Sequence, residues 1–552
     1  MGSLSPTPTG RRFALDTDSF KESFAAAQLG AKVDVGPAIG AAGAFEVELS
    51  FAKLKDYSLK HVLASVPALT TLRKLADDLG GPSSRRPSPD AAVAKVVELV
   101  GDGPLAAELR KVFAGDESEA IPEPAPAPEV EPEAKAGGDS DDLVGEMLAA
   151  NERKAEATRN ESARAVDSFI SALRGSKPKA GAKPTPAHRR ARELVETAVF
   201  GAISALLNDP GVTEPEALWR GLKLVVAEAT RRAKMYVEIV DVGPEGLEQV
   251  MRESLDEEPM NRPDAYFCFD RVEDPARLQS LASTAEDLHA PLVTSVGPGF
   301  FGVEDAEDVI TALRDAKPDG MSALPEGWAE LTQDEVSRWL AVTTNDVVVA
   351  SEGAGAARRT VLGSSVFAVA AMLAASFRHT ASFARVLGKE GSLRMPGLRE
   401  VQSGREQGST VPTAAFVSIR AQAELGALGI IGLGSGRNSD AVVLSEIRTA
   451  RRSKDAVPLP AQILTGRLVR FGLWVRDQIP AGSSRQEVED LFEQAATVFL
   501  FPGLGGGAQL NAGVVEEGDQ TMIRLVAAVE PRLAGVPFEV GFDLPLTVAL
   551  AD

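Results

Sequence analysis

The sequence predicts a mixed α/β (α+β) protein, a small N-terminal α/β unit docked on a larger α/β body, and three patterns carry that expectation. Leu218, Leu222, Val225, Val226 and Ala229 recur at i, i+4, i+7, i+8 and i+11, one face of a helix, behind a Thr213/Glu216 pair with the form of a capping box. Val195, Val199, Ile203, Leu206 and Leu207 mark a helix before it, with Asn208-Asp209-Pro210-Gly211 as the turn. Met235–Val242, rich in β-branched residues and closed by Gly243-Pro244, reads as a strand. Phe45, Val47, Leu49 and Phe51 alternate with Glu46, Glu48 and Ser50 as a half-buried strand does.

At 552 residues the chain exceeds one ordinary core, so two or more domains are expected. A formal net charge of −21 argues against nucleic-acid or anionic-membrane partners, which demand a clustered basic face. Cys268 is the single cysteine, which excludes an internal disulfide and a thiolate metal cage and fits a reducing compartment. Ser364–Phe377, the longest weakly polar run, is shorter than the roughly 18 residues of a membrane span. The residues after Arg11-Arg12 lack the apolar stretch of a signal peptide. A cytoplasmic location without membrane insertion is the expectation.

Residues 1–115 form the small unit. After the Phe45–Phe51 strand, Leu69, Leu72, Ala76 and Leu79 define a helix face ended by Gly80-Gly81-Pro82. Arg11–Phe20 (RRFALDTDSF) and Phe45–Leu79 resemble the small sheath subunit of type VI secretion systems, the TssB family. The shared features are a strand of alternating glutamates and apolar residues, a Leu-x-Asp-aromatic turn at Leu54, Asp56 and Tyr57, and a helix like Pro67–Leu79. Members of that family usually carry several dozen residues before this point, including a strand lent to a neighbouring subunit. Here Met1–Gly10 precede it, so a shortened N-terminus without the lent strand is expected.

Residues 116–140 change character. Asp116–Asp142 holds ten acidic residues against Lys135, together with the Pro-rich Ile121–Pro128, and such a segment buries too little apolar surface to order itself. It reads as a disordered linker with a reach of about 25–30 Å, holding the two halves of the chain at an effective concentration of order millimolar. Residues 141–185 return to a helical pattern and run into the basic spacer Lys177–Pro186. Leu143, Val144, Met147 and Leu148 form a small apolar patch there, readable as part of an ordinary amphipathic helix. They also resemble the short N-terminal helix of large sheath subunits, which the AAA+ unfoldase ClpV recognises once the sheath has contracted. Here the helix is internal and Gly145 weakens it.

Residues 186–552 are the larger body. In Leu278–Asp305 a helix ends near His289, Pro291 excludes further helix, and Leu292–Val296 is a buried strand. Val361–Phe377 is near-uniformly apolar, a core helix buried all round. Leu464, Leu468, Phe471 and Val475 mark a helix over 461–478. Met522–Val529 and Phe538–Leu546 are two strands, the second alternating cleanly. Glu216–Val226 (EALWRGLKLVV), the His289-Ala-Pro segment with its apolar strand and Pro298–Gly302 turn, and Thr413–Arg452 together resemble the large sheath subunit of the same systems, the TssC family.

Candidate chemistry is sparse. Gly432-Leu-Gly-Ser-Gly436 follows an apolar strand, as a dinucleotide fingerprint does, but Arg437 stands where the third glycine belongs. A tight turn is the first expectation and a dinucleotide site the alternative. Ser435 lacks the G-x-S-x-G frame, and Gly388-Lys389-Glu390 is not a P-loop. His61, His188, His289 and His379 have no metal-ligand spacing. Cys268, among Tyr266, Phe267 and Phe269, reads as an inert buried thiol. Trp219, Trp328, Trp339 and Trp474 read as core or interface anchors. No catalytic, cofactor or metal residue is expected.

The two resemblances imply a natural fusion of the small and large sheath subunits of a contractile type VI-like sheath, a structural protein without an active site. They imply a helical homopolymer around an inner tube protein, seated on a baseplate, with neighbours joined by exchanged strands. Collapse of that polymer to a shorter, wider packing would drive tube and spike through a target membrane. A non-contractile tube or shell of the same fold is the alternative, and a dinucleotide-dependent enzyme using Gly432–Gly436 a further one.

Overall fold

The computed structural model describes residues 1–4, 7–82, 85–115, 185–316, 320–353, 358–403, 406–454, 456–500, 508–517, 520–531 and 536–550. The expected linker 116–140 and residues 141–184, with Leu143, Val144, Met147 and Leu148, lie outside them. Strands β1 (Arg12–Ala14), β2 (Leu29–Asp34) and β3 (Glu46–Phe51) alternate with helices α1 (Phe20–Ala26) and α2 (Gly36–Ile39). Helices α3 (Leu59–Ser65), α4 (Pro67–Leu79), α5 (Pro89–Val100), α6 (Pro104–Ala114), α7 (Pro186–Asn208) and α8 (Pro210–Glu228) follow. Next come β4 (Glu238–Val240), α9 (Leu247–Glu253), β5 (Tyr266–Arg271), α10 (Pro275–Asp287), β6 (Leu292–Ser295), α11 (Val309–Asp315), α12 (Trp328–Leu331) and β7 (Leu340–Thr344). Strands β8 (Val347–Glu352) and β9 (Arg359–Gly363) lead to α13 (Ser365–Thr380), β10 (Leu393–Arg394), β11 (Arg399–Ser403) and β12 (Glu406–Val411). The chain ends with α14 (Ile419–Gly426), β13 (Ile430–Gly432), β14 (Gly434–Ser435), β15 (Ala441–Val443), α15 (Leu459–Arg476), α16 (Arg485–Ala495), β16 (Ala508–Glu517), β17 (Gln520–Val529) and β18 (Phe538–Pro545).

The chain folds as two compact units. One is Gln28–Glu214 with Glu352–Arg359, and the other is Met1–Ala27 with Pro215–Ser351 and Thr360–Asp552. In the first, β2 and β3 pair antiparallel from Leu29↔Phe51 to Asp34↔Glu46. The predicted alternation holds, with Val47, Leu49 and Phe51 buried and Glu46, Glu48 and Ser50 exposed. The Leu-x-Asp-aromatic stretch is a single 3-10 turn, Leu54–Tyr57. Asp56 accepts from the N–H groups of Ala52 and Lys53 at 2.9 and 2.8 Å, and fully buried Tyr57 stacks on Phe51 with ring centroids 3.9 Å apart. Helix α4 buries Leu69, Leu72, Leu75, Ala76 and Leu79. Helix α7 buries Val195, Val199, Ile203, Leu206 and Leu207 and packs on α2, α3, α4 and α6. A Cβ on Gly201 would lie 2.9 Å from the Ala38 carbonyl, so glycine lets α7 approach α2 closely.

The second unit is built on a parallel sheet of order β13-β7-β6-β5. Strand alternation sends Tyr266, Cys268, Leu292, Leu340, Val342 and Ile430 to one face, where α10 and α14 pack on them. Val293, Ala341 and Ile431 point the other way, onto α13. A sheet covered on both faces needs apolar residues on both, which is why Leu292–Ser295 is buried at every position. His289 ends the preceding turn in the left-handed conformation, φ 52°. Val361–Gly363 belong to β9, and the predicted core helix starts at Ser365, where the Ser364 hydroxyl accepts the Val366 N–H. A separate antiparallel sheet, β16-β17-β18, packs on α15 and α16 around Leu468, Phe471, Val488, Phe492, Ile523 and Leu525. Strand β16 was not among the expected elements; its apolar alternation is confined to Leu510, Ala512 and Val514.

Two expectations are corrected. The Thr213/Glu216 pair is not a capping box, because α8 already begins at Pro210. Proline presets the helical φ at a first position, and Asp209 Oδ1 accepts the Gly211 N–H at 2.9 Å. Glu216 is instead fully buried and paired with Arg220 at 2.7 Å. The strand expected over Met235–Val242 shortens to Glu238–Val240, with Tyr236 82% exposed.

Trp219 joins the N-terminal residues to this second unit. It is completely buried, and Phe20 and Phe24 of α1 meet its ring edge-on at 5.7 and 5.2 Å. Trp219→Ala is expected to destabilise the protein by about 3–5 kcal/mol in urea unfolding. Its Nε1 has no hydrogen-bond partner among the described residues, so Trp219→Phe, which deletes fewer buried atoms and breaks no hydrogen bond, should cost less than Trp219→Ala.

Candidate assembly surface

Met1, Gly2 and Arg12–Ala14 close one edge of the parallel sheet. The Met1 amine donates to the Phe267 carbonyl at 2.7 Å and the Phe269 N–H to the Met1 carbonyl at 3.1 Å, so Met1 pairs with β5. Gly2 exchanges hydrogen bonds with Val240 and Val242 at 3.2 and 3.0 Å, and β4 pairs in turn with β1 from Arg12↔Val240 to Ala14↔Glu238. Gly2 sits at φ +146°, and a Cβ there would lie 2.5 Å from the Phe269 ring, so only glycine fits. The buried carboxylate of Asp241 gathers donors from Leu4 and Thr9. Leu4 N–H, Thr9 N–H and the Thr9 hydroxyl donate to it at 2.9, 2.8 and 2.6 Å. Asp270 takes the Ser3 N–H and hydroxyl, both at 2.9 Å.

The antiparallel sheet has two unlike edges. At β16 the outward N–H of Val514 is held by Glu489 Oε1 of α16 at 3.1 Å. Because Val514 points away from β17, the Val514↔Ile523 pair is a non-hydrogen-bonded one, and the ladder parity then follows along the sheet. Phe542 and Leu544 turn their amides toward β17, and Glu539, Gly541 and Asp543 turn theirs outward. Among the described residues no strand pairs with that outer edge of β18.

The crevice where an α/β sheet usually binds a ligand lies at the carboxyl ends of its strands, and here it is filled by mutually bonded side chains. Ser295 and Ser364 hydroxyls are 2.9 Å apart, and those of Thr343 and Ser365 are 2.8 Å apart. Asn345 donates to the carbonyls of Ala415 and Leu433 at 2.9 and 2.7 Å. Asp346 pairs with Arg271 at 2.5 Å and accepts the Ser365 N–H; its burial nonetheless pushes its carboxyl above the usual range. Gly432 and Gly434 lie in strands, and the turn comes later, at Arg437-Asn438, with Asn438 at φ 55°. That corrects the tight turn expected at Gly432–Gly436. A Cβ on Gly432 would lie 2.5 Å from Leu425, and one on Gly434 2.1 Å from Gln422 Nε2. These glycines make room for α14, and β14 runs into the antiparallel partner β15 where a dinucleotide site needs a helix N-terminus.

Cys268 is fully buried, and burial pushes its thiol up to about 12, as an inert thiol requires. Trp328 is buried and donates to the Leu428 carbonyl at 2.9 Å; Trp339 is buried beside His289; Trp474 meets Phe499 edge-on at 5.1 Å. Among the described residues no three His, Cys, Asp or Glu side chains gather as metal ligands, and no helix is long and apolar enough to cross a membrane.

Residues 264–451, from β5 through β15, match the family described as VipB: EvpB/VC_A0108, tail sheath N-terminal domain. Among solved structures, the chain is similar to the anti-feeding prophage (AFP) helical sheath in its contracted state, at 13% identity and a TM-score of 0.30, covering 53% of this chain and 71% of that one. It is also similar to the contracted sheath complex of an extracellular contractile injection system, PVC (13%, TM-score 0.33, 61% and 77%). A third is the sheath tail protein Lin1278 of Listeria innocua (10%, TM-score 0.30, 57% and 63%). A search of curated proteins found no match.

Within the matched segment, His289 is a titratable group under opposing influences. Burial and the neighbouring guanidinium groups of Arg262 and Arg470 hold its pKa below the usual value, against a smaller opposite pull from Asp287. The ring also lies edge-on to Trp339 at 6.0 Å. The unfolded chain therefore binds a proton more readily than the folded one as pH falls below about 6.5, and stability drops in that window. His289→Asn, which also accepts the left-handed conformation, should flatten the loss of urea stability between about pH 7 and about pH 5.

Proposed function

We propose, from the match of residues 264–451 to the VipB tail sheath N-terminal domain model, that this protein is the structural subunit of a contractile, type VI-like sheath. It polymerises in the cytoplasm around an inner tube on a baseplate and shortens to drive the tube outward. The small-subunit-like residues 1–115 and the large-subunit-like residues 186–552 act as one protomer, tethered by 116–140. Packing supports this: Met1–Ala27 share a compact unit with Pro215–Ser351, while α7 shares the other with α4. Each unit is thus made from both ends of the tether. Leu143, Val144, Met147 and Leu148 remain the candidate helix for a ClpV-type unfoldase.

The observation that carries assembly is the outer edge of β18, unpaired among the described residues, which suits addition of a strand from a neighbouring copy. Contacts of that kind are heterologous and do not close on themselves. A static tube is the second reading, favoured by the engagement of Met1 and Arg12–Ala14 within their own body.

Electron microscopy of the purified protein, before and after mild denaturant, is expected to show tubes of two diameters. One unchanging diameter would select the static tube, and a dispersed monomer at high concentration would overturn both readings. Glu539→Pro removes an outward amide of β18 without touching its ladder to β17, so it should leave the circular dichroism unchanged and abolish the tubes. Cleavage engineered within Ile121–Pro128 of the folded protein should leave the two pieces co-purifying; separation would contradict the shared protomer.

A further inference from the structure

We propose that α16 is an edge guard: Glu489, flanked by Arg485, keeps β16 from accepting a strand of a second copy, so that the three-stranded sheet takes its neighbour at β18. The inference rests on the assembly reading above and adds the residues that give assembly its direction.

The guard follows from matched spacings. Residues four apart on a helix are about 6 Å apart along its axis, and residues two apart on a strand about 6.8 Å. Two successive turns of α16 therefore meet two same-side positions of β16. Glu489 accepts the outward Val514 N–H at 3.1 Å, and Arg485 pairs with the Glu516 carboxylate. The phase of α16 is set at its start by a capping box, in which Ser484 Oγ accepts the Glu487 N–H at 3.3 Å and Glu487 accepts the Ser484 N–H at 2.8 Å. Val488 and Phe492, buried in the core of the sheet, fix its rotation. An incoming strand must capture outward amides, and at Val514 a carboxylate already holds one. The far edge, with the amides of Glu539, Gly541 and Asp543, carries no such guard among the described residues. Each copy then offers one accepting edge, and growth has a polarity.

The test uses the full-length protein and reads hydrogen exchange at Val514 together with particle size. Glu489→Ala is expected to speed Val514 exchange about tenfold, while Glu489→Gln, which still presents an acceptor oxygen, stays close to the parent. Combined with Glu539→Pro, which alone disperses the protein, Glu489→Ala should restore association through β16. Glu489→Lys in the same background serves as the second variant should Glu489→Ala fail to fold, because an ammonium cannot accept the Val514 N–H, and it too should restore association. Double variants that remain as dispersed as Glu539→Pro, or unchanged Val514 exchange in Glu489→Ala, would overturn the guard. If the parent forms no tubes, the assembly reading fails, and Val514 exchange then judges the guard by itself.

Discussion

The edge of a β-sheet is a row of N–H and C=O groups, and a buried one left without a partner costs about 1–3 kcal/mol. Much of this structure is an answer to that constraint. The β5 edge of the parallel sheet is closed by Met1 and Gly2, which carry the ladder on to β4 and β1. The buried carboxylate of Asp241 gathers three donors from Leu4 and Thr9 and so holds the closing segment in place. At β16 one outward amide, that of Val514, is held by a side chain from α16. Among the described residues no strand pairs with the outer edge of β18.

The parallel sheet has the architecture that in many enzymes presents a ligand at the carboxyl ends of its strands. In this chain those ends are occupied by Ser295, Thr343, Asn345, Ser364 and Ser365, hydrogen-bonded to one another or to backbone. Asp346 bridges from the end of β7 to Arg271 and to the first turn of α13. Groups that could recognise a substrate are spent on locking strands to helix.

Where the sequence could be read locally, it was read well. The alternation of Val47, Leu49 and Phe51 and the helix faces of α4, α7 and α15 emerge as expected, because each is a period imposed by burial on one side. Misreadings arose where a local pattern competes with its surroundings. Thr213 and Glu216 have capping-box spacing, but Pro210 starts the helix a turn earlier. The glycines at 432 and 434 look like a loop signal, yet they are small because α14 presses Leu425 and Gln422 against them. The candidate assembly surface was the least legible part, since neither Glu489 nor the outward amides of β18 carry any sequence signature; an edge is defined by which strand is missing.

The sequence by itself determined the class of the fold, the helical hairpin, the buried strand at Leu292–Ser295, the absence of a disulfide, and the resemblance that pointed to a sheath, because these depend on composition and on short-range periodicity. Tertiary structure alone decided that residues 1–27 build into the body formed by 215–351 and 360–552, that α7 belongs with residues 28–214, and that α16 holds the outward amide of Val514 while no strand among the described residues pairs with the outer edge of β18. The physical reason is that partnerships between distant segments are chosen by whichever unpaired backbone and apolar faces remain once local elements have formed, and no residue's own identity records that choice.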